Sequence, residues 1–522
     1  MRKIFTDTRV LDKKAGEAFL LPEEILMENA ACALEQAVRD ACARLPVLFR
    51  GVAVLIVAGS GGNGADGYTL ARRLSGSTLA DGRPLAVSVF SAAEPKTAVC
   101  RRQRDRASAC GVPFLPDFSP ADVVVDCLFG SGFRSPAPES LLACIAGMNA
   151  VKTPEGRSPY RIACDVPSGI GAGESAGAPV RFMADRTVCM GALKRCLFLD
   201  DAVDFTGEVS VADLGVSARQ FESLGEPEAF LLEPGDLRLP VRTRKNVHKG
   251  TFGHSAVFCG GKPGAALMAA AAASAFGSGR TTLVFPEADA GSGTGRFAVP
   301  AELMTADRLP ASCTAAAAGM GLRAAEGNPH PDAALDFAAE SLAACPGLPA
   351  VLDADFFRWP GLAGLLRKRP AGLVLTPHPG EFASLLVLCG LAPDGISPAE
   401  VSARRFSFVR AFCTEFPGAV LLAKGAVPVT GFCPAPGQPV RLYANALGVP
   451  ALAKGGSGDV LAGLVCALLA QGYPPPEAAW NASLAHTLAA REVYAPWGIP
   501  PQALIEAVRG LPLSAAKAAD KV

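Results

Sequence analysis

The sequence predicts an α/β protein of two doubly wound domains, each a parallel sheet between layers of helices. A continuous aliphatic run, Val52–Ala58, leads directly into a glycine-rich stretch and a helical pattern, the order of a nucleotide-binding crossover. A second series of short apolar runs, each ending in a polar or glycine-rich loop, begins at residue 255. Between the two series lies a polar, proline-broken stretch typical of a domain boundary. The predicted organisation is a first domain over 1–220, a linker over 221–245 and a second domain over 246–522.

The composition excludes several classes of protein. The 522 residues include 49 basic and 49 acidic side chains, so the formal net charge is zero and no nucleic-acid partner is expected. Sixteen cysteines occur without any C-x-x-C pair, which argues against zinc and agrees with a reducing compartment. The apolar stretches are too short for a membrane, and the start does not resemble a signal peptide. We therefore expect a cytoplasmic protein without a membrane partner, and a homo-oligomer is compatible with the sequence.

In the first half, three predicted strands end in oxygen-bearing side chains. Asn63 and Asp66 lie in the glycine-rich loop after the first strand. Asp126 ends the second strand, and Asp165 and Ser168 follow the third. Because carboxyl ends of parallel strands meet at one edge, these groups are expected to converge where an open α/β sheet binds its ligand. They could bind a hard cation or orient a hydroxylated substrate; alternatively, each aspartate caps a turn.

In the second half, a glycine-rich turn at 455–458 precedes the apolar run 460–470. Such a turn places the unpaired amides of a helix N-terminus around an anion. Asp459 lies at this anion site and is expected to transfer a proton, although a helix cap is the simpler alternative. Lys424 ends a wholly apolar strand and is suited to a phosphate contact. His378 lies between two prolines at another strand end, where a binding role competes with a structural one.

The first half resembles the NAD(P)H-hydrate epimerase family over about residues 5–218. The motifs are collinear: Met27-Glu-Asn-Ala, Gly61-Gly-Asn-Gly-Ala-Asp-Gly67, the loop 126–136, Asp165-Val-Pro-Ser-Gly169 and Thr187–Lys194. The resemblance implies a Rossmann-like domain that binds hydrated NADH or NADPH (NADHX and NADPHX) beside potassium. The implied potassium ligands are Asn63, Asp126 and Ser168. The implied substrate contacts are Gly62, Asn63, Gly64, Ala65, Asp66, Gly130, Ser131, Gly132, Phe133, Arg134, Ser135, Pro136 and Asp165.

Within this resemblance, Asp165 is the candidate for proton transfer at the hydrated ring carbon. Two residues depart from the family loop: Gly62 stands for an asparagine and Ala65 for a glycine. Gly62 supplies no side-chain amide, and Ala65 is compatible with the loop only if its φ is negative.

The second half resembles the ribokinase-like ADP/ATP-dependent NAD(P)H-hydrate dehydratases over about residues 230–510. The motifs, again in family order, are His248-Lys-Gly250, Gly264-Ala-Ala, 300–304, 319–322, 352–355, Thr376-Pro-His-Pro-Gly-Glu381, 424–426 and 455–459. The resemblance implies that Ala265, Gly321, His378 and Asp459 face the hydrate. It implies that Lys424, Gly425, Ala426, Val427, Pro428 and Gly458 hold the nucleotide, taken to be ADP with Mg²⁺. Asp459 would then be the general base.

The predicted function is therefore repair of hydrated NADH and NADPH: epimerisation of the R and S hydrates, then ADP-dependent dehydration of the S form. One alternative is a small-molecule kinase of the ribokinase superfamily with a fused, non-catalytic nucleotide-binding domain. The string Thr376–Glu381 weighs against it, because general kinases of that superfamily lack it. A second alternative is an N-terminal domain that only binds pyridine nucleotides.

Overall fold

The computed structural model describes residues 1–45, 50–134, 136–174, 177–286, 298–324, 328–369 and 371–519. The chain divides into an N-terminal unit, Arg2–Ala229, and a C-terminal unit, Phe230–Val522 together with Met1. In both units helices flank a mostly parallel sheet, so the predicted α/β class is confirmed. Ser135, a predicted substrate contact, lies outside the described residues.

The N-terminal unit alternates strands and helices along the chain. Its strands are β1 Arg2–Phe5, β2 Val52–Ala58, β3 Leu85–Ser91, β4 Phe114–Leu115, β5 Val123–Cys127, β6 Tyr160–Cys164, β7 Arg186–Met190, β8 Leu193–Lys194 and β9 Glu208–Ala212. Its helices are α1 Arg9–Phe19, α2 Glu23–Arg44, α3 Gly62–Leu74, α4 Ala98–Ala109, α5 Glu139–Ala150, α6 Val203–Thr206 and α7 Ala218–Glu222.

Seven of these strands form one parallel sheet in the order β4-β3-β2-β5-β6-β7-β9. Alternate residues of β2 enter different cores, as the continuous apolar run predicts: Ile56 packs with α2 and α3, and Leu55 packs with α5. The strand order reverses direction between β2 and β5. A doubly wound sheet opens a ligand crevice at such a switch point, and β2 and β5 precede two of the predicted site loops.

The glycine-rich stretch predicted as a loop after β2 is largely helical, because α3 already begins at Gly62. Two of its glycines are required for packing. A Cβ on Gly64 would lie 2.0 Å from the carbonyl oxygen of Gly59, and one on Gly67 would lie 2.8 Å from the Cβ of Cys127. These glycines therefore bring α3 directly onto the sheet. Ala65 is helical and fully buried, so its φ is compatible with a side chain.

The C-terminal unit has the same alternation. Its strands are β10 Ala229–Leu231, β11 His254–Phe258, β12 Arg280–Val284, β13 Met304–Ala306, β14 Ala315–Ala318, β15 Ala350–Leu352, β16 Leu373–Leu375, β17 Val420–Ala423, β18 Val429–Phe432 and β19 Arg441–Ala444. Its helices are α8 Pro263–Ala275, α9 Ala333–Ala344, α10 Leu362–Lys368, α11 Pro379–Leu388, α12 Pro398–Ala403, α13 Arg405–Glu415, α14 Ser457–Ala470, α15 Pro475–Glu492 and α16 Pro501–Ala519.

These strands follow the order β13-β12-β11-β14-β15-β16-β17-β18-β19-β10. The pairs from β13 to β17 are parallel, whereas β18 is antiparallel to both of its neighbours. Helices α8, α14, α15 and α16 cover one face with a core rich in alanine. The loops after β14, β15, β16 and β17 carry the candidate side chains of this unit. Among the described residues, no helix combines the length and apolar composition that a membrane crossing requires.

Candidate active sites

A cavity of about 630 Å³ lies at the carboxyl ends of β2, β5 and β6 in the N-terminal unit. The predicted residues that line it are Gly62, Asn63, Asp66, Gly130, Ser131, Gly132 and Asp165. Helices α1 and α2 form a further wall that sequence reasoning did not assign to the site; it includes Arg9, Asp12, Lys13, Glu23 and Met27. The lining thus combines residues of α1 and α2 with residues of the sheet edge.

Asp165 is held in this cavity by three donors. The ammonium of Lys194 lies 2.5 Å from Oδ1, the amide of Met190 donates to Oδ1 at 3.1 Å, and the amide of Ser131 donates to Oδ2 at 3.1 Å. Burial would lower the pKa of Lys194, which is 1% exposed, but the Asp165 charge raises it well above its ordinary value. Asp165 itself has a left-handed φ of 69°, a conformation rare outside glycine and concentrated at functional sites.

Asp126 and Ser168 do not line the cavity but form a buried oxygen cluster that accepts from the amides of Leu128 and Phe129 in the lining. The Ser168 hydroxyl donates to Asp126 Oδ1 at 2.7 Å, and the Ser168 amide donates to Oδ2 at 2.7 Å. Burial raises the pKa of Asp126 to about 6 despite these hydrogen bonds. Asn63 donates its side-chain NH₂ to the Cys164 carbonyl at 3.2 Å, which leaves its amide oxygen available. A buried carboxylate with hydroxyl and amide oxygens suits a hard cation, whose charge would offset the cost of burial.

The remaining predicted substrate contacts of this unit lie elsewhere. Gly64 and Ala65 are buried inside α3, and Phe133 is only 4% exposed. Arg134 and Pro136 are exposed.

In the C-terminal unit, Lys424 bridges two carboxylates that follow neighbouring strands. Its ammonium lies 2.9 Å from Asp353 Oδ1 and 3.7 Å from Glu381 Oε2. Burial would lower the pKa of Lys424, but the two negative charges raise it. Burial alone would raise the pKa of Glu381, yet hydrogen bonds from His378 and the Lys424 charge lower it. Lys424 therefore remains charged, as the predicted contact with a phosphate requires.

Asp459 occupies the first turn of α14, directly after the glycine-rich turn. Burial, and after it the charge of the neighbouring Asp353, raise the pKa of Asp459 to about 7 against the opposing charge of Lys424. A carboxyl group that is half ionised near neutrality suits a general base. A Cβ on Gly458 would lie 3.2 Å from the Lys424 ammonium and 4.0 Å from Asp353 Oδ2. The first turn of α14 and the lysine cluster therefore meet at one place.

His378 caps helix α11. Its Nδ1 accepts from the amides of Gly380 and Glu381 at 3.1 and 3.3 Å, while its Nε2 lies 3.2 Å from Glu381 Oε1. His378 therefore has a structural role as the cap of α11, which was one of the two alternatives that the sequence left open. Because its side chain is 52% exposed, it can also contact a ligand. Gly321 adopts a left-handed φ of 68° after β14, and Ala265 lies in the first turn of α8.

Arg405 contacts the backbone of segment 425–428, which is predicted to bind the nucleotide. The Arg405 guanidinium donates to the carbonyl of Val427 at 2.9 Å, and a Cβ on Gly425 would lie 2.2 Å from it. The Val427 side chain is buried, so this segment can offer a ligand its backbone. Pro428 accepts from the Asn445 amide at 2.9 Å.

Sequence reasoning assigned no role to Lys194, Asp353 or Asp12. Lys194 and Asp353 lie inside the motifs that carried the resemblances, at 187–194 and 352–355, so position in a motif was the available signal. Asp12 lies outside every motif, and only its place in the cavity draws attention to it.

Comparison with known proteins defines the class. Residues 23–196 match the family described as YjeF-related protein N-terminus, and residues 256–509 match the family described as NAD(P)H-hydrate dehydratase. A bifunctional NAD(P)H-hydrate repair enzyme of Helicobacter pylori is 38% identical over 98% of this chain and 100% of its own. The corresponding enzyme of Coxiella burnetii is 31% identical over 92% of each chain.

Solved structures show weaker likenesses. An ADP/ATP-dependent NAD(P)H-hydrate dehydratase from Bacillus subtilis, co-crystallised with ATP/Mg²⁺, is 24% identical with a TM-score of 0.40, covering 53% of this chain and 94% of its own. Yeast YNL200c is 20% identical with a TM-score of 0.36, covering 44% and 95%.

The protein is thus a two-unit α/β enzyme with a switch-point cavity in one unit and a glycine-turn site in the other. It belongs to the bifunctional NAD(P)H-hydrate repair enzymes. Both predicted resemblances are confirmed, and so is the prediction of an enzyme with an epimerase and a dehydratase part. The kinase alternative finds no support in these relatives.

Proposed function

We propose that the N-terminal unit interconverts the R and S hydrates and that the C-terminal unit dehydrates the S hydrate with ADP, releasing AMP and phosphate. The proposal rests chiefly on Asp459, a carboxyl group with a pKa of about 7 at a helix N-terminus beside a charged lysine. That arrangement supplies a base for a hydroxyl group and positive charge for a phosphoryl group in one place.

In the N-terminal site, hydration of an enamine double bond leaves a hydroxyl group on the carbon beside the ring nitrogen. The nitrogen electron pair can expel this hydroxyl if a proton is supplied, and water can then return to the other face. Asp165 is the proposed proton acceptor for that water, with Lys194 fixing its carboxylate. Potassium would be held by Asp126, Ser168 and Asn63, where it would balance the buried carboxylate and the phosphate charge of the substrate.

In the C-terminal site, hydroxide is a poor leaving group, so phosphorylation has a clear purpose. Asp459 accepts the hydroxyl proton, and the hydroxyl oxygen attacks the terminal phosphoryl group of ADP, from which AMP departs. The carbon–oxygen bond then breaks with phosphate leaving, as the ring nitrogen supplies its electron pair. Loss of a proton from the neighbouring ring carbon restores the double bond. Mg²⁺ would enter bound to the nucleotide.

In this site, Lys424 and the segment 425–428, together with Gly458, are proposed to hold the nucleotide. Ala265, Gly321 and His378 are proposed to face the hydrate. The convergence of Gly458 and Lys424 supports this arrangement, because both lie beside Asp459.

The test is recovery of NADH absorbance from a mixed R/S hydrate with ADP, with ATP or with neither. Complete recovery with ADP is expected, with spontaneous epimerisation measured in an enzyme-free control. Recovery that stops at the S fraction would contradict the epimerase activity. Phosphate transfer to another alcohol without recovery would contradict repair altogether.

A further inference from the structure

Epimerisation by loss and return of water makes a specific demand on the N-terminal site. Water leaves one face of the ring and adds to the other, so a proton must be given on one side and taken on the other. Asp165, at the sheet edge, serves one side only. The residue for the other side must lie on a different wall of the same cavity and must be able to carry a proton.

Helix α1 offers such a residue in Asp12. The helix lines the cavity with Arg9, Asp12, Lys13 and Gly16. Within the described residues, Asp12 Oδ1 is buried from solvent and has no hydrogen-bond partner. An unpartnered buried oxygen is costly unless it carries a proton or receives one from a ligand. Asp66, another carboxyl group in the lining, belongs to α3, and its Oδ2 lies 3.9 Å from the Sγ of Cys164, next to Asp165 in the chain.

We propose that Asp12, on helix α1, is the second acid–base residue of the epimerase site and serves the face of the ring that Asp165 does not serve. This inference rests on the proposed function of the unit. In the R-to-S direction, the Asp12 carboxylic acid gives its proton to the departing hydroxyl, the carbon–oxygen bond breaks, and the ring nitrogen forms a double bond to carbon. Water then adds to the other face, its proton passes to Asp165, and the double-bond pair returns to nitrogen. The reverse direction exchanges the two roles.

Asp165 and Asp12 have different surroundings, as the proposed roles of proton acceptor and proton donor require. Three donors, one of them the Lys194 ammonium, converge on the oxygens of Asp165, so these oxygens act as hydrogen-bond acceptors. Burial raises the pKa of Asp12 to about 6; Lys194 lowers it, while Asp165, Asp7 and Glu23 raise it. The donors around Asp165 and the unpartnered oxygen of Asp12 thus give the two carboxyl groups different surroundings in one cavity.

The experiment compares Asp12→Asn and Asp12→Ala in the full chain, with pure R and pure S hydrate as separate substrates. Asp12→Asn is expected to slow epimerisation roughly 100-fold or more and to leave ADP-dependent dehydration of the S hydrate unchanged. Glu17→Gln is the matched control: Glu17 lies on the same helix, its side chain is 68% exposed, and it does not line the cavity.

Two readouts separate proton transfer from a structural role. Formate or acetate should restore epimerisation in Asp12→Ala with increasing concentration, because a small acid can enter the vacated space. Wild-type R-to-S epimerisation should decline as the pH rises above about 6, since the acid form of Asp12 is then lost. The inference is overturned if Asp12→Asn epimerises at the wild-type rate, or if Asp12→Ala loses activity and formate and acetate do not restore it. Failure of the wild-type chain itself to epimerise would instead overturn the proposed function.

Discussion

Asp459 makes the sharpest prediction at the scale of single residues. Its raised pKa of about 7 means that the base form is scarce in acid. The kcat/KM for dehydration of the S hydrate should therefore fall about tenfold per pH unit below 7 and level off above it, since only the ionised carboxylate can accept the proton. A rate profile flat between pH 5.5 and 8 would contradict this role.

Replacement of the same residue tests the base directly. Asp459→Asn should lower dehydration by roughly 100- to 10,000-fold. Epimerisation of the R hydrate, catalysed in the other unit, serves as the control inside the same chain. Asp165→Asn should give the reverse pattern. Loss of both activities in either variant would point to misfolding, and full dehydration by Asp459→Asn would remove it from the mechanism.

Asp126 carries the prediction for the metal. Potassium that binds only the folded unit stabilises it by about 2.7 kcal/mol at one hundred times its Kd. Replacing KCl with tetramethylammonium chloride at constant ionic strength should lower the Tm of the N-terminal transition in scanning calorimetry. Asp126→Asn should abolish this response, whereas the exposed Asp117→Asn should retain it. An equal potassium response in Asp126→Asn would exclude a cation at this cluster.

At the scale of elements, the contact between α8 and α14 depends on small residues. A Cβ on Gly463 would lie 2.2 Å from the Ala269 carbonyl oxygen and 2.8 Å from the Ala272 Cβ. Gly463→Ala should therefore lower the free energy of unfolding by about 1–3 kcal/mol, although alanine favours a helix. Gly364→Ala, the same change in α10 with no atom within 4 Å, should raise it by up to about 1 kcal/mol.

Tryptophan fluorescence suits this measurement because Trp359, Trp480 and Trp497, the three tryptophans of the chain, all lie in the C-terminal unit. Denaturant titration followed by fluorescence then reports on that unit alone. An increase in the free energy of unfolding for both glycine substitutions would show that helix propensity outweighs packing at Gly463.

At the scale of the whole molecule, each unit has its own hydrophobic cores. Among the described residues, the hydrophobic clusters of the N-terminal unit lie between Phe5 and Leu224, and those of the C-terminal unit between Phe230 and Leu511. We therefore predict that residues 1–225 and 226–522, divided between α7 and β10 and produced separately, retain epimerase and dehydratase activity respectively. Fragments that fold by circular dichroism yet regain activity only when mixed would contradict this independence.

The sequence alone determined the α/β class and the motifs that carry both resemblances. These follow from local pattern: a continuous aliphatic run predicts a strand buried on both faces, and glycine after a strand predicts a close backbone approach. The N-terminal start of α3 was missed because glycines at 62, 64 and 67 suggest a loop, whereas close packing on the sheet requires them inside a helix.

Only the tertiary structure decided which charges meet. Lys194 is 29 residues from Asp165, and Lys424 is 71 residues from Asp353. Asp12 enters the cavity from a helix outside every motif. Such contacts between charged side chains cannot be predicted from the residue types or from their separation along the chain, because they depend on the order in which strands join the sheet. Burial then sets the pKa of Asp459 and Asp12, and burial is a property of the folded chain.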